Sequence, residues 1–346
     1  MKKIVFTGGG TLGHVMPNLY LFDELKKDYK CFYIGSSGIE EEKVKNSMTF
    51  SKISSVKLVR GKIFQNFKIP FVLILAIKQA KNILKDIKPD IVFSKGGYVA
   101  LPVCIAAKML KIPIIAHESD SSFGLANKII LKLCNKMCVN FKSLENKDKK
   151  IIYTGPIFSE AFESTNKDIS KLKLDKNKPT ILIVGGSLGS QNINKNIFQI
   201  LNQLLTKYNI IHITGKGNCK IKSYNNYNSF EMVDDIVNLY NIADFVVGRS
   251  GAGVTAECFF KKLPMILIPL ENKASRGDQP LNAEYYEKLG ICKILREKDL
   301  NSTNLLKTIN DFNKKLDTYK AKYKSLKIIN GREKIIEMIH NKKDTI

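Results

Sequence analysis

The chain has 346 residues, 44% hydrophobic and 25% charged, which excludes wholesale disorder or a collagen-like repeat and provides enough apolar material for two ordinary domains. Lys and Arg number 56 against 32 Asp and Glu, a formal charge of +24, so the surface field gathers anions such as nucleic acid, lipid headgroups or phosphorylated substrates. The excess is mainly lysine, without an arginine-rich tract or zinc-ligand spacing, and charge alone specifies no partner, so no nucleic-acid function is expected.

The amino terminus, Met1-Lys2-Lys3-Ile4-Val5-Phe6-Thr7-Gly8, reaches glycine after three apolar residues and reads as a first strand, not a signal peptide. Short β-rich runs then alternate with helical stretches: Lys3 to Phe6, Cys31 to Ile34, Ile91 to Phe93, Pro113 to Ala116 and Met137 to Asn140. The second half repeats the alternation with Thr180 to Val184, Ile210 to Thr214, Phe245 to Val247 and Met265 to Pro269. This is the pattern of parallel sheets covered by helices on both faces. Each half opens with a strand that runs into a glycine cluster, Gly8-Gly9-Gly10-Thr11-Leu12-Gly13 in one and Gly185-Gly186-Ser187-Leu188-Gly189 in the other. Two similar doubly wound domains follow, 1–160 and 161–332, with the polar stretch Glu163 to Lys178 connecting them.

From about residue 300 the pattern is helical, with Leu305, Leu306, Ile309 and Phe312, then Tyr323, Leu326 and Ile329, spaced at three and four. The seven cysteines are an odd number, several within apolar runs. They read as reduced, buried thiols of a cytoplasmic protein, with Cys134 and Cys138 packing in the core. The longest apolar run, Ile69 to Ile77, has nine residues, whereas a spanning helix needs roughly 20.

A strand that enters glycines and then a helix leaves backbone N–H groups exposed at a helix amino terminus, a site that favours phosphate. One such loop is weak support, but Ser94-Lys95-Gly96-Gly97-Tyr98 and Gly248-Arg249-Ser250-Gly251-Ala252-Gly253 also follow strands. Ligands bind at the carboxyl ends of parallel strands, so all these loops are expected to line one crevice. The spacing fits neither the Walker pattern nor a clean dinucleotide fingerprint. No Asp-x-Asp element follows a strand, so metal-independent chemistry is expected, with leaving-group charge met by amides, helix dipoles and cations such as Arg249 or Arg276.

Six ordered segments carry a family resemblance: Thr7-Gly-Gly-Gly-Thr-Leu-Gly-His14, Phe93-Ser-Lys-Gly-Gly-Tyr98, His117-Glu-Ser-Asp120 with Gly124-Leu-Ala-Asn-Lys128, Gly185-Gly-Ser-Leu-Gly189, Arg249-Ser-Gly-Ala252 and Ser275-Arg-Gly-Asp-Gln279. Together they resemble the lipid I N-acetylglucosaminyltransferases of peptidoglycan synthesis, over nearly the whole chain. The resemblance implies an α/β protein of GT-B architecture, two Rossmann-like domains facing each other across a cleft, with the last helix, 333–346, packing back on the first. It also implies an inverting glycosyltransferase, with UDP-GlcNAc as donor and undecaprenyl-diphosphate-linked N-acetylmuramoyl-pentapeptide as acceptor, the acceptor's 4-hydroxyl attacking and UDP leaving. The acceptor diphosphate would rest on Gly9, Gly10, Gly13, Gly96, Gly97 and Tyr98. Carried over by position, donor contacts fall on Thr11, Leu12, Gly13, Asp120, Ser159, Ser187, Val233, Ala252, Gly253, Val254, Thr255, Ala256, Glu257 and Gln279. Two positions depart from the family's pattern: Asp120 stands where many members carry Asn, and Ser159 where Arg is usual. Glu257, one helical turn past a glycine loop, also suits a ribose diol on chemical grounds.

An inverting displacement needs a base for the acceptor hydroxyl, and His14 is the one of four histidines placed directly after a glycine loop. The alternative for His14 is a phosphate hydrogen bond or a helix cap, with Asp120 and Glu118 as rival bases. Between Arg60 and Lys88, seven basic residues and one acid are interleaved with apolar ones. With a helix starting at Pro70, Leu73, Ile77, Ala80 and Leu84 form its buried stripe. Phe64, Phe67, Ile69, Phe71 and Leu75 would then form a basic-apolar patch for an anionic membrane, placing the protein peripherally on the cytoplasmic face of the bacterial cell membrane. A diacylglycerol-directed glycolipid synthase and a UDP-GlcNAc 2-epimerase share this architecture and are the competing readings.

Overall fold

The computed structural model describes residues 1–55, 67–186, 189–233, 236–271 and 277–341. They form two compact units, Met1–Ser159 with Ile329–Ile346, and Glu160–Ile328.

Unit 1 is built on β1 (Lys2–Thr7), β2 (Tyr29–Gly35), β3 (Thr49–Lys52), β4 (Ile91–Ser94), β5 (Ile114–Glu118), β6 (Lys136–Val139) and β7 (Ile151–Tyr153). They lie in the order β3-β2-β1-β4-β5-β6-β7, with every pairing parallel. Ile4, Val5 and Phe6 of β1 and all four residues of β4 are buried, the continuous apolar run expected of strands covered on both faces. The strand order reverses between β1 and β4, where Thr7 stands beside Ser94, and Ser94 in turn beside Ala116 of β5. Loops leaving these three strands therefore start level, at the switch point where open α/β sheets bind ligands.

Unit 2 repeats the plan with β8 (Thr180–Val184), β9 (Asn209–Ile213), β10 (Tyr227–Phe230), β11 (Phe245–Gly248), β12 (Met265–Leu267) and β13 (Cys292–Ile294), in the order β10-β9-β8-β11-β12-β13. Val184, Gly248 and Leu267 are level. Its core joins Ile181 and Ile183 of β8 to Ile193, Ile197 and Leu201 of the helix Gln191–Leu205 and to Leu305, Ile309 and Phe312 of the helix Ser302–Lys314.

β3, β7, β10 and β13, which the apolar runs do not announce, are the edges of the two sheets. Each has three or four residues and is partly exposed, so polar residues dilute the periodic signal.

Two further expectations change. The stretch 163–178 is stitched to unit 2 by four asparagine side chains rather than strung loosely. Asn241 donates to Ser164 O (3.0 Å) and Asn166 O (2.8 Å), and Asn238, Asn228 and Asn209 pair with the backbones of Asp168, Lys173 and Asp175. The spacing through Leu326 and Ile329 does not continue a helix. After Leu316–Lys322 and a short turn, the chain is extended until the helix Arg332–His340. Gly331 N donates to Pro156 O at 2.6 Å, and Asn330 Oδ1 accepts from Phe158 N and Arg332 N. These bonds hold the returning strand of chain, and Ile335 and Ile339 then enter the core of unit 1 beside Leu21, Leu25 and Tyr29.

The seven cysteines are unpaired, and all but Cys219 are buried. His212, fully buried on β9, lies 3.0 Å from Asn194 Oδ1 and 3.2 Å from Tyr227 Oη. Because Asn194 donates its amide to Thr214 O, its oxygen accepts from His212 Nε2–H, and Nδ1 accepts from Tyr227. Burial lowers the imidazole pKa to about 3. The unfolded chain, with an ordinary histidine near pH 6.5, therefore binds the extra proton between that value and about pH 3. His212's contribution is complete above about pH 6.5 and falls as pH drops, by about 1.4 kcal/mol per pH unit. Urea denaturation as a function of pH should show this slope, and His212→Gln should flatten it.

Candidate active site

The unit 1 loops start from β1, β4 and β5. After Thr7 the chain passes through Gly8–Thr11 into α1 (Leu12–Leu25), with Thr11 as an N-cap whose side chain bonds none of the helix amides. Thr11 Oγ1 lies instead 3.1 Å from His14 Nδ1. A side chain at Gly97, which has φ +84°, would stand 2.9 Å from Gly9 O and 3.5 Å from His14 Nδ1. At Gly10, with φ +84°, it would meet the Tyr98 ring at 2.7 Å. Both conformations favour glycine, and both contacts require it. The fold thus brings His14, Gly9, Gly10, Gly97 and Tyr98 into one cluster.

Two amides expected to cradle phosphate are already engaged. Glu40, 1% exposed and just inside α2 (Ile39–Val44), accepts from Gly10 N at 3.3 Å, from Ser36 N at 3.2 Å and from Ser36 Oγ at 2.5 Å. Its carboxylate also backs the buried Gly9 so closely that a Cβ there would fall 2.6 Å from Oε1. Gly96 N donates to Ser94 Oγ at 3.3 Å. The buried Gly9 and Gly96 are therefore corrected from diphosphate ligands to shaping residues, while Gly10 stays at the surface with its amide turned to Glu40, a fixed carboxylate that repels a second anion. Among the residues expected to hold phosphate, the surface positions are the exposed Gly10 and Gly13, the latter at the uncapped start of α1, and the half-buried Gly97 and Tyr98.

The third loop is organised by Glu118, 3% exposed. Oε1 accepts from Ser119 N (2.9 Å) and Asp120 N (3.0 Å), while Oε2 accepts from Gly124 N (3.1 Å) and Asn127 Nδ2 (3.0 Å). Four donors use its lone pairs, so the expectation of Glu118 as a base is corrected: it fixes the loop that presents Asp120. Asp120 itself is half-buried. Behind this loop, Lys95, 1% exposed, lies 2.9 Å from His117 Nδ1 and donates to Ser119 Oγ. Burial lowers the Lys95 pKa to about 8 against the opposing pull of Glu118 and Asp120. The buried His117 is held well below the usual histidine range, first by burial and then by Lys95.

In unit 2, β8 ends in Gly185 and Gly186, while Ser187 lies outside the described residues, as do Asp234, Asp235, Arg276 and Phe64. Val233 is half-buried, and Ser159, also half-buried, closes the first segment of unit 1. The loop after β11 opens the helix Ala252–Phe260. Of the donor positions there, Ala252 and Val254 are half-buried and Gly253 is exposed, but Thr255 and Ala256 point inward. Thr255 Oγ1 bonds Gly251 O at 3.0 Å. One turn of helix carries these two side chains to the core face.

Glu257 is half-buried, and its Oε2 accepts from Tyr240 Oη at 2.7 Å. Burial raises its pKa against the lowering effect of this bond. One oxygen is thus held, and Tyr240, 17 residues away, aims the group. Arg249 is corrected as a leaving-group cation. Its guanidinium is 2.6 Å from Glu297 Oε1 and donates to Ile268 O (3.1 Å) and Pro269 O (3.4 Å), all inside unit 2. Gln279 Oε1 accepts from Leu270 N at 3.0 Å, and Gln279 O accepts from Ser250 Oγ at 2.8 Å. These bonds bring Gln279 to the same loop.

Comparison with known proteins matches residues 4–139 to the glycosyltransferase family 28 N-terminal domain and residues 180–339 to the glycosyltransferase family 28 C-terminal domain. The chain belongs to glycosyltransferase family 28. It is 45% identical, over 98% of its length and 99% of the relative's, to the UDP-N-acetylglucosamine–N-acetylmuramyl-(pentapeptide) pyrophosphoryl-undecaprenol N-acetylglucosamine transferase of Clostridium botulinum strain Kyoto. The Clostridium perfringens strain 13 protein of that name is 43% identical, covering 97% of each chain. Among solved structures, Acinetobacter baumannii MurG superposes with a TM-score of 0.77 at 23% identity, over 99% of this chain and 100% of that one. The two parallel-sheet α/β units are of the GT-B type.

Sequence reasoning overlooked Glu40 and Tyr240, whose partners are distant in the chain, and treated Lys95 only as part of a glycine loop. A lysine directly between a buried strand and two glycines is the signal that marks it. Glu118→Gln would turn one amide donor toward N–H groups that now bond a carboxylate, and should destabilise unit 1 by about 2 kcal/mol. Thermal or urea denaturation checks this.

Proposed function

We propose that this enzyme transfers GlcNAc from UDP-GlcNAc to the 4-hydroxyl of N-acetylmuramoyl-pentapeptide linked through diphosphate to undecaprenol, with inversion at the sugar carbon. The observation that carries the reading is 45% identity to a transferase of that name over 98% of the chain. The loops at the carboxyl ends of β1, β4 and β5 support it, since they gather the acceptor-side residues at one sheet end. Glu257, with one oxygen fixed by Tyr240, suits a ribose hydroxyl through the other.

His14 is the proposed base for the acceptor hydroxyl. With Nδ1–H donating to Thr11 Oγ1, the lone pair lies on Nε2, and the amino terminus of α1 disfavours imidazolium. Asp120, held in its loop by Glu118, is the rival. Catalysis without a metal is also proposed. Its support is chemical: helix-terminal amides provide fixed positive dipoles for developing phosphate charge. Labelled UDP-GlcNAc incubated with a short-chain lipid I analogue should give acceptor-dependent UDP release, unchanged by EDTA, while a diacylglycerol control gives none. His14→Ala should lower turnover by about two orders of magnitude. Transfer to diacylglycerol, or epimerised sugar nucleotide formed without acceptor, would replace the reading.

Peripheral membrane binding is part of the proposal. No helix among the described residues is long and apolar enough to cross a membrane. On the helix Ile69–Ile87, the buried stripe is Ala76, Ala80 and Leu84, while the expected Leu73 and Ile77 are only half-buried. Ile69 is also half-buried, but Phe67 (77% exposed), Phe71 (69%), Ile74 (66%) and Leu75 (48%) stand outward near Lys68 and Lys78. Aromatic and aliphatic groups beside cations suit shallow insertion, with about 1 kcal/mol added per lysine near anionic lipid. The triple substitution Phe67→Ser, Phe71→Ser and Ile74→Ser should abolish most co-sedimentation with phosphatidylglycerol-containing vesicles. Binding indifferent to both the substitution and the anionic lipid would exclude the surface.

A further inference from the structure

Lys95 is the buried charge left over once the roles above are assigned. Its backbone N donates to Thr7 O at 2.8 Å, its Cβ lies 3.0 Å from where a side chain on Gly8 would begin, and Gly96 and Gly97 follow it. Its Nζ reaches His117 Nδ1 at 2.9 Å and Ser119 Oγ. The residue therefore touches all three unit 1 loops, its backbone and Cβ against the first and its ammonium under the third. Among the described residues no carboxylate lies within ion-pair distance of it. Glu118, the nearest acid in sequence to its partners, has its oxygens bound to Ser119, Asp120, Gly124 and Asn127.

A cation removed from water without a paired anion is costly. The position gives it a use. Gly10 N–H faces Glu40 and Gly96 N–H faces Ser94, so the loops offer an anion fewer amide donors than their glycines suggest. Additional positive potential at this sheet end comes from the start of α1 and from Lys95.

We propose that Lys95 is a positioning residue that provides the buried counter-charge for the acceptor's diphosphate, without touching it. Its ammonium holds Ser119, whose carbonyl is fixed from the other side by Asn140 Nδ2 at 3.2 Å, and so sets the loop that presents Asp120. It donates to His117 Nδ1, which places that imidazole's proton on Nε2. The titratable groups facing it are His117 of β5, Glu118 and Asp120 of the following loop and Cys138 of β6, with His14 of α1 beyond His117. Burial leaves its pKa at about 8, so the ammonium is lost as pH rises through that value. A diphosphate diester carries no proton that titrates there.

This inference rests on the proposed lipid-diphosphate acceptor. The test is steady-state kinetics of wild type and Lys95→Met with UDP-GlcNAc and a short-chain lipid I analogue, from about pH 6.5 to about pH 9. Lys95→Met should raise acceptor KM about tenfold near pH 7 and leave donor KM within about twofold. Wild-type acceptor KM should climb as pH passes about 8, while that of Lys95→Met stays level. Unchanged acceptor KM, an equal rise in donor KM, or parallel pH profiles would overturn the proposal. Should Lys95→Met fail to fold, a wild-type acceptor KM that is flat through this range overturns it alone. If wild type transfers nothing, the functional reading fails separately. Calorimetric titration with inorganic pyrophosphate then decides Lys95: weaker binding to Lys95→Met supports the counter-charge, and equal binding rejects it.

Discussion

Thr7, Ser94 and Ala116 stand side by side because β1, β4 and β5 pair in parallel register at the point where the strand order reverses. The parallel register levels the carboxyl ends, so three loops that are distant in sequence begin at one height and pack on one another. His14, Gly97 and Tyr98 owe their proximity to this. A slip of one residue in any of the three strands would turn every side chain to the opposite face and separate the loops. Unit 2 uses the same device at Val184 and Gly248, where its two glycine loops start.

The charges within these loops are mostly internal. Glu40 and Glu118 each collect hydrogen bonds from their own surroundings, Arg249 is closed against Glu297 and two carbonyls, and Tyr240 holds one oxygen of Glu257. Such groups make loops rigid, because an ionised group taken from water persists only when its bonding positions are filled. The consequence is a division of labour. Carboxylates and the arginine shape the backbone, while His14, Asp120, Tyr98 and Glu257 stay half-buried. Rigid loops suit a transferase, which gains rate from groups aligned in advance of the reaction.

The helix Ile69–Ile87 shows how burial and composition part company. Its inward side is made of small residues, Ala76 and Ala80, which let it lie close to Ala100–Met109. Its large apolar residues, Phe71, Ile74 and Leu75, face outward. A stripe chosen by hydrophobicity alone puts the bulky residues inside. Close helix packing selects for size instead, and the bulky groups are left on the outside.

Taken alone, the amino-acid order determined the two-fold repeat of strand, glycine loop and helix, the central strands of both sheets and the family, because buried parallel strands and glycine turns leave dense local signals. It also singled out His14 and Glu257 as candidates, the first directly after a glycine loop and the second one helical turn past another. It did not reveal the four edge strands, whose exposure removes the apolar run, or the asparagine-stitched segment 163–178 and the extended return through 326–331, whose bonds join residues far apart in the chain. Nor could it separate side chains that serve the loops from those that serve a ligand. Glu40 and Gly10 are 30 residues apart, Lys95 and His117 are 22 apart, and Tyr240 and Glu257 are 17 apart. Only the folded sheets, by setting distance and burial, decided which charges were already neutralised from within.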